Sequence, residues 1–584
     1  MKKSKKFLLL SGASALIMVA PIISTSCSAN AHDALISKLQ SGENPNGEWV
    51  NINYSQTPYK YYHVYLHNHD YKDYLVESHT KGDLDELEDK LIHEQITPFE
   101  GTKYPNPKKE AGEPSELAFI PAAETEAEGA ESYSSIWVRD SVWNILALKQ
   151  IGETNDAIEA SKSLFKYFRT DNQKWRMENV ITNPNLLKQE NGAMIGVHIR
   201  FDANTLEDVQ ENGKDQYWSH KQNDALGLFI SLLVDFALDY IDDETIWPTA
   251  VKDADMQTLA RLVSYLNTID FWIMEDSGAW EEIEKISCSS IACVVSAFSK
   301  VVEAYNNNTS FKTAYDAARE SIAPMFSNND MDAINKGITN AYEFTLEKSI
   351  EEGGESILYP KSDESYREAD TAMLNLIYPY GLPNFHTTES KAYGEWDFNT
   401  YQRIKILQAV EANNNDYGML RYKNDNYQCS DFWFANIPTD VSEESYKKRE
   451  ELFIDGSEAS WFFDSWMAIC YAKVAEEALT TTDPNVIKEY HIPWLINRLN
   501  YHINKAIAFI NKSKAYRSDG TMTEDPSLPE SYTVVTKDGT DDMTNWYRLA
   551  SPIDPLRWSQ SSLSLMIKEL MKCDSSIIPD IPLA

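Results

Sequence analysis

Tyr217-Trp-Ser-His-Lys-Gln-Asn-Asp224 runs directly into Ala225-Leu-Gly-Leu-Phe-Ile-Ser-Leu-Leu-Val-Asp-Phe-Ala-Leu-Asp-Tyr-Ile241. The second stretch reads as a strongly apolar helix, long enough to be central and too short and interrupted to span a membrane. The first reads as an aromatic and polar loop at its start. That unit, a motif-bearing loop followed by an apolar helix, recurs along the chain. Val142, Ile145, Leu146 and Leu148 open one helix, and Ala157–Phe168 carries the next. Met256–Met274 holds Leu259, Leu262, Val263 and Leu266 at helical spacing. Further helices read over Ser290–Tyr305, Phe311–Ile322, Met331–Leu346, Glu368–Ile377, Thr400–Glu411, Trp461–Ala478, Val486–Ile510 and Trp558–Met571. The spacing predicts about twelve helices in consecutive pairs, with few strand patterns from Tyr133 onward. Antiparallel pairs that close on themselves, six inner and six outer, bury this many apolar faces economically. The fold expected is therefore all-α, over 131–584. Residues 27–130 read as a tether followed by a small irregular or mixed segment. Val50–Tyr74 there has some strand-like alternation, and Asp83–Ile96 has the pattern of one helix.

Acids outnumber bases, 90 Asp and Glu against 53 Lys and Arg, for a net charge of −37. A surface of that sign disfavours nucleic acid and anionic lipid as partners and suits a neutral substrate. Aromatic residues make up 12% of the chain, with 15 Trp and 32 Tyr. Aromatic faces of this kind either fill a core or stack on the apolar faces of sugar rings. Lys2, Lys3, Lys5 and Lys6 precede an apolar run from Phe7 to Ile23, and Ser24-Thr-Ser-Cys27 follows. That is the layout of an export signal over residues 1–26. The small residues before Cys27 make it a lipidation site, although Ser24 stands where a larger aliphatic is usual. An ordinary cleaved signal and an uncleaved anchor remain as alternatives. The other five cysteines include no C-x-x-C pair, so no disulfide framework or zinc cage is indicated. No metal and no cofactor is expected.

The unusual loops gather at predicted helix starts. They hold Trp137, Arg139 and Asp140, then Trp218, then Trp280-Glu281-Glu282, then Arg421, and last Glu530 in a Pro-rich loop. If the inner helices share one orientation, these loops meet at one rim. Each residue also has a plain structural reading. Glu281 and Glu282 suit a solvated helix start, where the helix dipole favours acids. Glu530 alone reads as a surface acid. Arg139 and Asp140 read as an ion pair in a first helical turn, Trp218 and Trp280 as core aromatics, and Asp224 as an N-cap. Together, however, paired carboxyls, arginines and aromatics suit glycosidic bond cleavage. That reaction needs one protonated and one ionised carboxyl, with charged hydrogen-bond partners for sugar hydroxyls.

The blocks WVRDS (Trp137–Ser141), YWSHKQND (Tyr217–Asp224), AWEE (Ala279–Glu282), LRYKND (Leu420–Asp425), EASWFFDSW (Glu458–Trp466), LPESY (Leu528–Tyr532) and PLRWSQ (Pro555–Gln560) stand in this order. In order and spacing the chain resembles glycoside hydrolase family 15, over roughly Phe119–Leu570. The resemblance implies an (α/α)6 six-hairpin barrel and an inverting reaction. It implies Glu281 as general acid, Glu530 as general base and Glu282 as a sugar contact. It further implies Arg139 and Asp140 on the terminal sugar's hydroxyls, with Trp137, Trp218, Trp280 and Arg421 lining the sugar site. Ser531 departs from the Gln or Leu-Tyr often found after the base. Ser219-His-Lys221 departs from the usual Gly-Arg-Pro-type run.

The function expected is an exo-acting, inverting hydrolase of neutral α-linked glucosides: maltooligosaccharides, isomaltooligosaccharides or trehalose. It would be lipid-anchored through Cys27 at the outer face of the plasma membrane, its only membrane contact. Glu281 would be held protonated by Trp280 and by its neighbour Glu282. The alternative is a catalytically inactive carbohydrate-binding lipoprotein on the same barrel. A phosphorylase on a similar barrel would need an anion pocket and no base. Oligomeric state is left open.

Overall fold

The computed structural model describes residues 36–37, 47–53, 61–97, 101–110, 113–123, 131–211, 213–322, 324, 326–390, 394–435, 437, 443–512, 526–536, 543 and 546–581. Residues 1–26 and Cys27, read above as signal and lipidation site, lie outside them.

Two rings of helices make the body. Chain order alternates between them. The inner ring is α2 (Val138–Ile151), α4 (Asn223–Tyr240), α6 (Cys288–Asn307), a 3-10 segment (Thr371–Leu376), α9 (Asp464–Thr480) and α11 (Arg557–Lys572). Each packs on the next, and α11 packs back on α2, so the ring closes. The outer ring is α3 (Thr154–Phe168), α5 (Thr249–Thr268), α7 (Met331–Ala341), α8 (Thr400–Val410), α10 (Lys488–Ala508) and α1 (Lys81–His93). Here α3 covers α2 and α4, α5 covers α4, α7 covers α6, α8 covers the 3-10 segment and α9, and α10 covers α9. The outer partner of α11 is α1, from the N-terminal part of the chain. This is the (α/α)6 barrel.

Apolar patterning explains the two rings. In α4 nearly every residue from Asn223 to Ala237 is buried, whereas α3 buries a face. Close approach of α4 to α6 needs Gly227. A Cβ there would lie 2.5 Å from the backbone carbonyl carbon of Cys293. Gly227→Ala is therefore expected to lower stability by about 1–3 kcal/mol, because the clash with backbone exceeds the helix-propensity gain of alanine. Urea unfolding of the variant beside wild type measures it.

The helix expected over Glu368–Ile377 is only the short 3-10 segment. Asp370 caps it by accepting from the Ala372 N–H at 2.8 Å, and Pro379, which lacks an N–H, blocks extension. Its six residues are nonetheless all buried and fill the fourth inner position.

Strands are more numerous than the sequence suggests. Hairpin β1 (Glu48–Asn53) and β2 (Tyr61–Leu66), and hairpin β3 (Thr102–Pro105) and β4 (Glu116–Phe119), flank α1. The start of α1 is a capping box between Thr80 and Asp83. Its end is tied to α11 by Gln560 Nε2 donating to the Ile96 carbonyl at 2.8 Å. Short β5 (Ile136–Trp137) and β6 (Arg200–Phe201) pair at the head of α2. At the rim lies an antiparallel sheet of β7 (Asn414–Asn415), β8 (Gly418–Met419), β9 (Ser460–Trp461), β10 (Ser531–Thr536) and β11 (Trp546–Ala550), in that order. Trp461 pairs with Ser531, which brings the chain on either side of β9 and β10 to one place.

Candidate active site

The N-terminal ends of the inner helices gather at one rim and enclose a pocket of about 100 Å³. Trp137 and Arg139 enter it from the head of α2, Trp218 from the loop before α4, and Trp280, Glu281 and Glu282 from the loop before α6. Arg421, Trp461–Phe463 and Glu530 come from the rim sheet and its loops, and Trp558 from the first turn of α11. Of the nine catalytic and sugar-contact residues expected from sequence, eight stand on this wall. The ninth, Asp140, is buried beside Arg139 in the first turn of α2.

The Glu281–Glu282 doublet is not a helix start. Gly278–Trp280 forms a single 3-10 turn, Glu281 follows in the left-handed region at φ 59°, and α6 begins only at Cys288. That conformation costs a non-glycine residue roughly 1–2 kcal/mol. The loop is held by reciprocal backbone bonds between Asp276 and Lys285 at 2.9 and 2.8 Å. The kink sends the two carboxyls to different partners. Glu281 accepts from Trp137 Nε1 at 3.4 Å and faces Arg139 Nη1 at 3.5 Å. Glu282 accepts from Arg421 Nη2 and from the Tyr422 hydroxyl, each at 2.5 Å.

Both arginines are already paired with carboxylates. Arg139 donates to Asp224 at 2.6 and 3.3 Å, to Gln222 at 2.5 Å and to the Gly278 carbonyl at 3.2 Å. Asp224, read as a possible cap, is thus the counter-ion of Arg139. Arg421 also donates to Asp425 at 2.6 and 2.7 Å. Glu530 accepts from the Tyr133 hydroxyl at 3.1 and 3.2 Å and from Gln428 Nε2 at 2.5 Å. The Tyr133 ring lies 5.7 Å from that of Trp137, so two aromatic side chains connect Glu530 to Glu281.

Electrostatics divides the acids. Burial raises Glu281, against the pull of Arg139 and Arg200. The charge of Glu282, expected from sequence to contribute, is not among the main causes. The indole N–H of Trp280 donates to Asp370 at 2.8 Å, and the Glu282 carboxyl is turned to Arg421. Burial works against the ionised form of Glu282 as well, but Arg421 and Arg367 outweigh it and hold the group at about 2. Burial pushes Glu530 up to about 7, although Gln428, Tyr133 and Arg421 oppose it. Asp140 is raised to about 7, by burial and then by Glu281 against the opposing charge of Arg139.

Three indole N–H groups on the wall, those of Trp218, Trp461 and Trp558, are buried with no partner among the described residues. A buried, unpaired donor is costly unless a ligand accepts from it. The Trp218 ring itself is fixed by the Arg200 guanidinium, 4.0 Å away. The pocket therefore presents two carboxyls of raised affinity for protons, one ionised carboxylate, two paired arginines, and aromatic faces with free donors.

The sequence model of glycosyl hydrolases family 15 matches residues 118–499. The chain belongs to glycosyl hydrolases family 15. The matched stretch contains Glu281 and Glu282 and ends ahead of Glu530. Among curated proteins, the uncharacterized lipoprotein YgeQ of Escherichia coli K12 is 40% identical over 151 residues, covering 25% of this chain and 55% of YgeQ. The putative protein YgeP of the same organism is 46% identical over 55 residues, 9% of this chain and 54% of YgeP. The chain thus spans about half the length of the curated relatives it matches. Among solved structures, Hormoconis resinae glucoamylase is 13% identical with a TM-score of 0.47, over 84% of this chain and 73% of that one. Saccharomycopsis fibuligera glucoamylase is 11% identical with a TM-score of 0.45, over 84% and 96%. The assignment to glycosyl hydrolases family 15 rests on the sequence match alone.

Several wall and support residues of this family 15 chain escape a reading of its sequence. Tyr133 stands four residues ahead of the Trp137–Ser141 block, and that proximity is the one available signal. Gln428 and Tyr427 follow Arg421 in a loop with no recognisable spacing. Arg449 lines the pocket from helix Glu443–Leu452, a charged stretch that reads as a solvated surface. Its Nε is buried without a partner among the described residues.

Proposed function

We propose that the protein is an exo-acting, inverting hydrolase of neutral α-linked glucosides, exported and lipid-anchored through Cys27. The observation that carries the reaction is the pair Glu281, partly buried, and Glu530, buried, two carboxyls facing one aromatic-walled pocket. Glu281 is the general acid. Burial favours its protonated form, and Trp137 and Arg139 steady the carboxylate left after the proton goes to the glycosidic oxygen. Glu530 is the general base that takes a proton from the attacking water. Glu282, fully ionised beside Arg421, accepts from a sugar hydroxyl and stabilises positive charge developing on the ring. Arg139 and Asp140 hold the terminal sugar, and Trp218, Trp461 and Trp558 offer N–H donors to its neighbours. The anchor is supported by the N-terminal sequence and by the word lipoprotein in the name of YgeQ.

The test is an activity panel on maltose, isomaltose, trehalose and longer glucans, with the product anomer read by proton NMR. The expected product is β-glucose. Release of α-glucose overturns inversion. Sugar binding without release from any substrate leaves the inactive carbohydrate-binding lipoprotein as the better reading.

The same assay carries a pH prediction. Turnover needs Glu530 ionised, and its folded value stands at about 7. The acid limb of kcat/KM, which reports the free enzyme, should therefore fall with slope one below about pH 7. A limb near the ordinary glutamate range would mean that Glu530 is not the base.

A further inference from the structure

Ser531 is a departure from the family pattern, and the structure gives it a partner. Its hydroxyl donates to the side-chain carbonyl Oε1 of Gln428. That bond leaves the Gln428 amide N–H2 facing Glu530, to which it donates at 2.5 Å. The opposite amide orientation would set two acceptor oxygens against each other. Gln428 and Ser531 are both completely buried, so water does not compete for these bonds.

Gln428 is held there at a conformational cost. Its φ is +57°, in the left-handed region, and Asn424 and Asp431 on either side also have positive φ. Such strain persists only where the surroundings over-determine it. Here the loop is pinned at both ends. Arg421 binds Asp425 within it, the Asp431 N–H donates to the Val534 carbonyl at 3.0 Å, and the Thr536 N–H donates to Asp431 Oδ1 at 2.9 Å. The loop is thereby docked on β10, the strand that follows Glu530.

We propose that Gln428, locked in orientation by Ser531, is the positioning residue that holds the Glu530 carboxylate as a hydrogen-bond acceptor facing the pocket. The proposal rests on the glycosidase reading only for its kinetic consequence. An amide N–H2 can donate and cannot accept, so this contact selects the ionised carboxylate. The other groups facing Glu530 are the Tyr133 hydroxyl, Arg421 and Asp140, with Tyr427 behind Tyr133 at 2.8 Å. Tyr133 can donate or accept and Asp140 disfavours charge, which leaves Gln428 as the hydrogen-bond contact that favours only the carboxylate, aided by the nearby charge of Arg421.

Gln428→Asn separates this role from a structural one. Asparagine tolerates positive φ better than glutamine, so the loop is retained, while the amide is withdrawn by one methylene. A hydrogen bond to a charged acceptor shifts its titration by about one to two pH units. Glu530 is titrated by difference infrared spectroscopy of its carboxyl band, assigned by comparison with Glu530→Gln. Gln428→Asn is expected to raise the midpoint by about one pH unit with the thermal unfolding midpoint little changed. Ser531→Ala, which frees the amide to rotate, should raise it by less. On maltose, the acid limb of kcat/KM should move up with the infrared midpoint. An unmoved infrared midpoint in folded Gln428→Asn overturns the proposal. If that variant does not fold, an unmoved midpoint in Ser531→Ala does so. A wild-type protein that hydrolyses no α-glucoside defeats the proposed function instead, and the infrared titration still decides the role of Gln428.

Discussion

Glu281→Gln and Glu530→Gln should each lower kcat on an α-glucoside by roughly 10²–10⁴-fold, the usual contribution of one general acid or base. Both substitutions are nearly isosteric. At 281 the two oxygens serve different donors, Oε2 accepting from Trp137 and Oε1 facing Arg139, so glutamine keeps one of these contacts, sets its N–H2 against the other donor and loses the transferable proton. At 530 the carbonyl still accepts from Tyr133, but the new N–H2 competes with Gln428 for the remaining side of the site. Some repacking is expected at both positions. Sugar affinity should survive in both, because Arg139, Glu282 and the indoles remain. Tryptophan fluorescence reads it directly, since Trp137, Trp218, Trp280, Trp461 and Trp558 line the pocket. The double variant should be scarcely slower than the worse single one, since groups that act as a unit do not add. Turnover unchanged in both single variants would show that the chemistry lies elsewhere.

Much of this arrangement can be read in the chain because it depends on local patterns. The helices announce themselves by apolar spacing, and the rim loops by the placing of Trp, Arg and Glu just ahead of apolar helices. Convergence of Trp137, Arg139, Trp218 and Glu281 follows once inner helices share a direction, whereas Glu530 arrives through the rim sheet, directly ahead of β10. What escapes depends on contacts distant in sequence. The last outer helix, α1, is separated from α11 by most of the chain, so closure through it is invisible to periodicity. The Thr371–Leu376 segment is buried on every side, and such a segment has no polar face to give it a period. The strand β10 is buried at all six positions, so it lacks the alternation that marks a half-exposed strand. The left-handed turn at Glu281 is set by the Asp276–Lys285 clasp, and nothing in Trp-Glu-Glu signals it. The doublet alone reads as a helix start, where the structure has a left-handed turn that sends Glu281 to the Arg139 cluster and Glu282 to an ion pair with Arg421.

Arg421→Met should be among the most destabilising single changes in the protein. Arg421 is 4% exposed and is shared by Asp425 and Glu282, both buried. Removing it leaves two carboxylates without their main counter-charge, and a broken buried pair of this kind costs about 3–5 kcal/mol. Arg367, 3.7 Å from Glu282, softens the loss at Glu282 and acts on Asp425 only as a weaker, non-bonded charge. The pH dependence identifies the cause. In the wild type Glu282 is depressed to about 2, so its stabilisation is present above the unfolded value near 4.5 and is lost as pH falls through about 2. Without Arg421 the folded value rises, and protonation then relieves the buried charge. Urea unfolding should show the deficit of Arg421→Met in full at pH 7 and diminishing towards pH 3. Arg421→Lys keeps the charge but not the fork that reaches both carboxylates, and should lie between. Adding Asp425→Leu to Arg421→Met should recover part of the loss, because it removes one of the stranded charges. A deficit independent of pH, or one left unrelieved by Asp425→Leu, would assign the effect to lost packing against Trp280, Tyr427 and Trp461, whose rings surround the guanidinium at 4.9–5.4 Å.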